Sequence, residues 1–436
     1  MSFDAPSPKR QRIAIVGGGI AGMSAAYKLA PQHDVTLFEA APRLGGHART
    51  KLAGLRGDQP VDTGFIVFNY VNYPHLTRMF HDLNVPVEKS NMSFGATIDN
   101  GRVEYGLQTL GSVFGQRRNA LRPGYLRMLR DILTFNARAE ATATSDEMTI
   151  GELVAQLGLG TWFQRYYLMP ICGAIWSSPT QDIRQFPAKS LVRFFSNHAL
   201  LSATQPHQWY TVSGGSIQYI TRLERHLRAA GVSLRPKTPI EAIKRAGDGV
   251  TLKALKGASE QFDHVILATH SDDSLKLLAD PSAQESRLLG AVAYQDNQMI
   301  LHRDAGQMPK RRACWSSWVY KADGSAEAPS IGVTYWMNRL QNIPESDPLF
   351  VSLNPYTPVH DALIYDQKTF RHPVFDGPAL KAQKEIKAAQ GTRNTWFAGA
   401  WLRNGFHEDG FASAVHVARE LDRRAAFPAT ELRASA

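Results

Sequence analysis

The chain of 436 residues carries 49 Lys+Arg against 39 Asp+Glu, a formal charge of +10, with 43% hydrophobic and 20% charged residues. Its length is roughly three times the ~150-residue domain norm, and 20 Phe, 14 Tyr and 8 Trp supply a large core, which excludes a mini-protein and a disordered chain. Only two cysteines occur, Cys172 and Cys314, far apart, which excludes a disulfide scaffold and a zinc cluster; no metal site is expected, and redox chemistry needs a bound cofactor.

The first ten residues lack the apolar stretch of a signal peptide, and no run approaches the ~18 to 20 apolar residues of a spanning helix, so the cytoplasm is the expected compartment. The basic balance favours anionic partners such as nucleotides or anionic lipid. Without a zinc finger, an RNA-recognition signature or a long basic block, nucleic acid is not an expected partner.

In chain order, Ile13-Ala14-Ile15-Val16 reads as a buried strand, Gly17-Gly18-Gly19 as a tight turn, and the small residues from Ile20 to Ala30 as a helix. Val35-Thr36-Leu37-Phe38-Glu39 then completes a βαβ unit. Within Gly17-x-Gly19-x-x-Gly22 the first glycine permits the turn, the second lets backbone approach a pyrophosphate, and the third allows close helix-to-strand packing. The helix N-terminus offers unpaired N–H groups and partial positive charge to phosphates. Glu39, 17 residues past Gly22, stands where a carboxylate accepts hydrogen bonds from both ribose hydroxyls of an adenosine. NAD and FAD both contain ADP, but Arg43-Leu44-Gly45-Gly46-His47-Ala48-Arg49-Thr50 adds a second close backbone approach that an extended FAD needs.

From about residue 72 to 208 the pattern turns Arg-rich, aromatic and helical, with turn signals at Arg122-Pro123-Gly124 and Ser178-Pro179. Short strand-like runs follow residue 212 and lead to the buried-strand pattern Val265-Ile266-Leu267-Ala268-Thr269. Trp396-Phe397-Ala398-Gly399-Ala400 reads as a last strand, and a helix is predicted from about 410 to 424. The expected fold is α/β: a discontinuous Rossmann-like dinucleotide domain (1–71, 209–275 and 389–436) interleaved with an α+β substrate or cap domain (72–208 and 276–388).

The blocks GGGIAGMSAAYKL with VTLFEA, RLGGHART, and WFAGAW with GFHEDGFASA resemble the amine oxidase, protoporphyrinogen oxidase and phytoene desaturase-like superfamily of FAD flavoproteins. They cover about a fifth of the chain. The resemblance implies non-covalent FAD held by Gly17, Gly19, Ile20, Ala21, Gly22, Glu39, Ala40, Arg43, Gly45, Gly46, His47, Ala48 and Thr50. It adds Ile240 on the adenine side, Ala268 and Gly399 at strand ends, and Asp409 with the Gly410-Phe411-Ala412 backbone at the flavin's pyrimidine edge. One departure stands out. Superfamily members carry an acid after Phe-Ala-Gly, where this chain has Ala400, so Glu408 or Asp409 replaces it or the contact is missing.

Asp62-Thr63-Gly64-Phe65-Ile66-Val67-Phe68-Asn69, Thr334-Tyr335-Trp336-Met337-Asn338 and Gly405-Phe406-His407-Glu408-Asp409-Gly410 are similar to a bacterial branch that contains the flavoprotein desaturase of furan fatty acid biosynthesis. That implies oxidation of methylated unsaturated acyl chains of phospholipids, with hydride transfer to FAD and O2 as reoxidant. A small-molecule amine substrate is the alternative, and a non-catalytic FAD-bearing partner of a lipid methyltransferase is a third reading. Candidate proton handlers are His407, His47 and Glu408, with His407 favoured because histidine titrates near neutrality. The same turn reads equally as a cap on the final helix.

Trp315, Trp318, Tyr335, Trp336, Tyr356, Trp162, Tyr166, Tyr167 and Trp176 either line an apolar tunnel or fill the core. Phe114, Leu121, Tyr125, Leu126, Leu129, Ile132 and Leu133 interspersed with Arg117, Arg118, Arg122, Arg127 and Arg130 resemble a basic amphipathic element. It is either a solvated helix face or a contact with an anionic membrane surface, which would place the protein peripherally at the inner face of the cell membrane.

Overall fold

The computed structural model describes residues 10–145, 147–176, 183–197, 207–247, 249–322 and 332–426; the Ser178-Pro179 turn signal and the side chain of Trp176 lie outside the described residues. At the centre is a parallel five-stranded sheet in the order Ser233–Arg235, Asp34–Phe38, Arg12–Val16, His264–Leu267, Thr395–Phe397. Both faces of these strands are buried, as uninterrupted apolar runs require. Ile13 and Ile15 pack with Met23, Trp396 and Phe411 under the helices Ile20–Leu29 and His407–Ala426. Ala14, Val16, Val265, Leu267 and Phe397 pack the other way, toward Ile243, Leu252 and Leu288. A three-stranded antiparallel meander, Ile240–Ala246, Gly249–Ala254 and Ser259–Phe262, lies on that side.

Strand order reverses between Arg12–Val16 and His264–Leu267, which is where ligands bind outside the carboxyl ends of open α/β sheets. Gly17 and Ala268 follow those two strands directly, and a Cβ on Gly17 would stand 2.7 Å from the Ala268 carbonyl oxygen. The Ala268 N–H donates to the Val16 carbonyl and the Gly17 N–H to the Phe38 carbonyl, each at 2.8 Å, which closes the turn onto both neighbouring strands.

A second, mixed sheet of seven strands runs Ile364–Pro373, Tyr294–His302, Phe350–Leu353, Gly332–Trp336, Trp318–Ala322, Phe94–Ile98, Val103–Gly106. Helices between Leu110 and Asn197 bury Tyr105, Tyr125, Phe135, Phe163 and Phe195 against one of its faces. The stretch expected to be helical from residue 72 departs from that between Val87 and Gly106, which forms three strands. Gly95 lies at a close sheet contact, where a Cβ would stand 2.9 Å from the Tyr105 carbonyl oxygen, and the flanking alternation suits a pleat. The final helix starts at His407, three residues earlier than expected. Among the described residues no helix is long and apolar enough to cross a membrane.

Candidate active site

The switch point opens into a cleft of about 860 Å3 that runs from the glycine turns to the seven-stranded sheet. At the near end Gly17, Gly19, Ile20, Ala21 and Glu39 line it, joined by Gly46 and His47 from the second glycine loop and by Ala268 and Gly399 from the two later strand ends. The two loops are locked together: Gly45 N–H donates to the Gly18 carbonyl at 2.8 Å, and a Cβ on Gly46 would stand 3.0 Å from the Gly19 Cα.

This end fits a dinucleotide on its own geometry. A Cβ on Gly19 would meet nothing nearer than 4.0 Å, so the space above it belongs to the cleft. The ten-residue helix that starts there has no side-chain cap and no acid in its first turn, which leaves its N–H groups to an anion. Glu39 is fixed at the strand end by the Gly18 and Ala41 N–H groups, each at 2.7 Å, and its remaining lone pairs are free for hydroxyls. Gly22 serves packing, since a Cβ there would fall 1.8 Å from the Gly17 carbonyl oxygen.

Several residues expected to touch the cofactor instead hold the walls. Arg43 donates to the carbonyls of Leu44, Gly46 and Ala48, so its guanidinium braces the loop rather than a phosphate; Gly45 and buried Ala48 belong to the same braced turn. Thr50 donates to Asp62 at 2.6 Å. Asp62 also accepts from the Ser216 N–H and hydroxyl and the Gln341 amide, a buried knot that burial pushes up to about 6. Ala40 and Ile240 lie outside the cleft lining, and Ile240 packs toward Leu252 and Phe262.

The C-terminal turn also differs from expectation. Because the helix begins at His407, the residues Asn404, Gly405, Phe406 and His407 face the cleft, whereas Asp409, Gly410, Phe411 and Ala412 lie behind it. A Cβ on Gly410 would stand 2.9 Å from Ile20, and Phe411 is in the core. Asp409 accepts from the Phe406 N–H at 3.0 Å and the Asn404 N–H at 3.3 Å, holding the turn, and burial raises it to about 6. Glu408 is not a proton handler at the cleft. Its carboxylate accepts from the His75 and Leu76 N–H groups at 2.9 and 3.0 Å, capping the helix Pro74–Asp82, and burial raises it to about 7.

The histidines are corrected in a different sense. His407 lines the cleft, stacks on Phe65 with ring centroids 4.1 Å apart, and meets the Tyr219 hydroxyl through Nε2 at 2.6 Å. Burial lowers it to about 3, so it is neutral throughout the neutral range and a poor base. His47, lowered by burial to about 3 with help from His372 and His270, stacks on Phe370 at 4.9 Å, and its Nε2 is buried without a hydrogen-bond partner.

Sequence reasoning missed His270, Phe370, Arg371 and His372, which line the cleft beside His47. They arrive from a loop and a strand about 100 residues apart, and no local spacing marks them. His270, Asp272 and Asp273 offer three ligand atoms within 4.8 Å of one another, but Arg371 and Lys276 already pair with both carboxylates. Thr63, Gly64, Phe65 and Ile66 also line the cleft; their block was visible in the sequence, without a role.

The far end carries an apolar row, while Ser90, Asn91, Ser93, His207 and Gln208 also line the cleft. Phe94, Trp318, Tyr335 and Val351 are successive register partners across four strands, so one row of the sheet presents them together to the cleft, with Met92, Leu353 and Phe370 around them. Of the other aromatics, Trp315 and Trp336 meet edge to face with Arg312 against both rings, and Trp315 packs with Phe350. Trp162 stacks on Tyr166, Tyr167 is buried in the helical layer, and Tyr356 does not line the cleft. Neither Cys172 nor Cys314 lines it; both thiols are buried and pushed up, Cys314 to about 11.

Comparison with known proteins agrees with this geometry. The family of flavin containing amine oxidoreductases matches residues 20–297, and the chain belongs to it. A CLA-producing fatty acid isomerase from P. acnes shares the fold at a TM-score of 0.67 and 15% identity, over 94% of this chain and 98% of that one. Cyclohexylamine oxidase from Brevibacterium oxydans IH-35A does so at 0.62 and 15%, over 95% and 100%. L-amino-acid oxidase of Crotalus adamanteus is 56% identical over 41 residues, which spans 9% of this chain and 8% of that protein. The protein is an FAD-dependent oxidoreductase with the Rossmann-like α/β architecture of its family.

Proposed function

We propose that this flavin containing oxidoreductase desaturates methylated unsaturated acyl chains of phospholipids. The observation that carries the reading is the far end of the cleft, where aromatic and aliphatic side chains form the wall. Among the described lining residues the only acids are Glu39, at the dinucleotide end, and Asp273, which is paired to Arg371 and Lys276. An ammonium substrate gains from a carboxylate or an aromatic cage and an acyl chain from a long apolar wall; aromatic rings serve either, and what favours the acyl chain is that the described lining holds no acid besides Glu39 and the ion-paired Asp273. The fold does not choose, since fatty-acid and amine enzymes both use it.

Non-covalent FAD supplies a two-electron acceptor for a C–H bond weakened by a neighbouring double bond, with O2 as the final oxidant. The chain's own residues bind and orient; the proton lost with the second C–H bond goes to water, and the two electrons with two protons end on O2 as hydrogen peroxide. Gly19 and the following helix N-terminus would receive the pyrophosphate and Glu39 the ribose, while Gly399, Phe406 and His407 line the same cleft. The Phe94-Trp318-Tyr335-Val351 row excludes water and aligns the chain. His407, held neutral by burial and tied to Tyr219, keeps the Phe65 ring in place rather than taking the proton.

Aerobic incubation of the holoenzyme with methylated octadecenoyl phospholipid, and separately with a panel of primary and secondary amines, tests this. Flavin bleaching and a product two mass units lighter (about 2 Da, two hydrogens) are expected with the lipid. Bleaching by amines alone would overturn the reading in favour of an amine oxidase, which the family description also suggests.

A further inference from the structure

The helix Pro123–Thr142 carries two unlike faces. Tyr125, Met128, Phe135 and Ala139 are buried against the helical layer. On the opposite side Leu126 is 45% and Leu133 62% exposed, two turns apart and on one stripe. The segment just before the helix presents Leu110 and Leu121, 80% and 85% exposed. Arg117, Arg118, Arg127 and Arg130 stand exposed among these leucines. The facing charges are mostly of one sign: Asp131 is buried, accepts from the Gly160 N–H and lies 3.8 Å from Arg127 and 3.4 Å from Arg130, Arg118 donates to the Gly101 and Arg102 carbonyls, and the exposed acid Glu140 sits at the far end of the helix. Single exposed leucines are ordinary, but Leu126 and Leu133 on one stripe, Leu110 and Leu121 in the preceding segment and four exposed arginines in the same stretch make this part of the chain at once apolar and cationic.

We propose that this face docks the protein on an anionic bilayer. The leucines enter the acyl boundary while the guanidinium groups stay among the headgroup phosphates, the two-signal arrangement that reversible interfacial binding needs. The arginines argue against a second copy of the chain as occupant, since a symmetric contact would set like charges against each other. The same helical layer places Ile171 in the cleft wall, so one layer meets the lipid outside and the substrate inside. The docking surface holds whichever substrate the cleft takes.

Co-sedimentation of the holoprotein with vesicles of phosphatidylcholine alone, and of phosphatidylcholine mixed with phosphatidylglycerol, tests it. Binding to the mixed vesicles is expected to be at least about tenfold tighter and to fall as salt rises from about 0.1 to 0.5 M. Leu121→Asp with Leu126→Asp weakens it by about tenfold or more, and Arg117→Glu with Arg130→Glu removes the preference for the anionic lipid. Both double variants keep bound flavin, because none of these side chains lines the cleft, and the leucine variant keeps the parent melting temperature. Leu255→Asp, on an exposed leucine of the antiparallel meander, leaves binding unchanged. Equal binding to the two vesicle types, no binding to either, or parental binding by both double variants overturns the proposal. So does a light-scattering shift from dimer to monomer in the leucine variant without vesicle binding, which would mark the face as a subunit contact.

Discussion

The two ends of the cleft are built on opposite plans. The dinucleotide end is made of backbone: Gly17, Gly19 and Gly46 clear space, helix N–H groups face it, and Glu39 is nearly the only side chain that acts. The far end is made of side chains, with Phe94, Trp318, Tyr335 and Val351 brought into one row by strand register. Backbone recognition tolerates little change, because a Cβ in the wrong place removes the site. Side-chain recognition is adjustable, because one ring can be exchanged without moving the strands. This difference explains how one fold keeps a cofactor while its substrates vary.

The sharpest way to break the comparison is Gly22→Val, whose Cβ would fall 1.8 Å from the Gly17 carbonyl oxygen; the purified variant is expected to be colourless or insoluble, read by visible absorbance. Glu39→Gln keeps the fold and puts an amide N–H against a backbone donor, so FAD affinity should fall by about tenfold or more in a fluorescence titration. At the far end Trp318→Ala should raise KM for the acyl substrate by about tenfold while the fraction of bound FAD stays at the parent value. Loss of flavin in that variant would show that the two ends are not separable.

Smaller effects probe the joint between them. Glu408→Ala strips the cap from the helix Pro74–Asp82 and should cost about 1 to 2 kcal/mol in denaturant unfolding. Burial raises the folded-state pKa of Glu408 from 4.5 to about 7, so its contribution to stability is complete below pH 4.5 and is lost as pH rises toward 7. Glu408→Gln does not titrate and should flatten that part of the stability profile. The smallest expected effect is on the pH profile of His407→Asn. A histidine lowered to about 3 supplies no limb to kcat/KM between about pH 5 and pH 9, so the variant changes the height of the curve and not its shape. Loss of a limb in that range would restore His407 as the base.

Legibility in the sequence followed the distance along the chain over which a contact forms. The turn from Gly17 to Gly22, the strand ending at Glu39 and the Gly45-Gly46 pair are local, and their spacing alone announces a phosphate-binding βαβ unit. Glu408 was misread because the N–H groups it caps, those of His75 and Leu76, lie more than 330 residues away. Arg43 and Thr50 illustrate the opposite case. Their motif is local, but a guanidinium can turn toward carbonyls as readily as toward a phosphate, and only packing around Ala48 and Asp62 decides which.

What the chain determined by itself is the parallel α/β layer and its cofactor, because apolar runs, glycines with no room for a Cβ and one strand-end acid act within a few residues of each other. What only the tertiary structure decided is the chemistry of the cleft wall. The neutrality of His47 and His407 comes from burial beneath elements remote in sequence. The aromatic row exists because strands from residues 94 to 353 settle into one register. Burial and register are sums over many distant contacts, and no short window of sequence contains them.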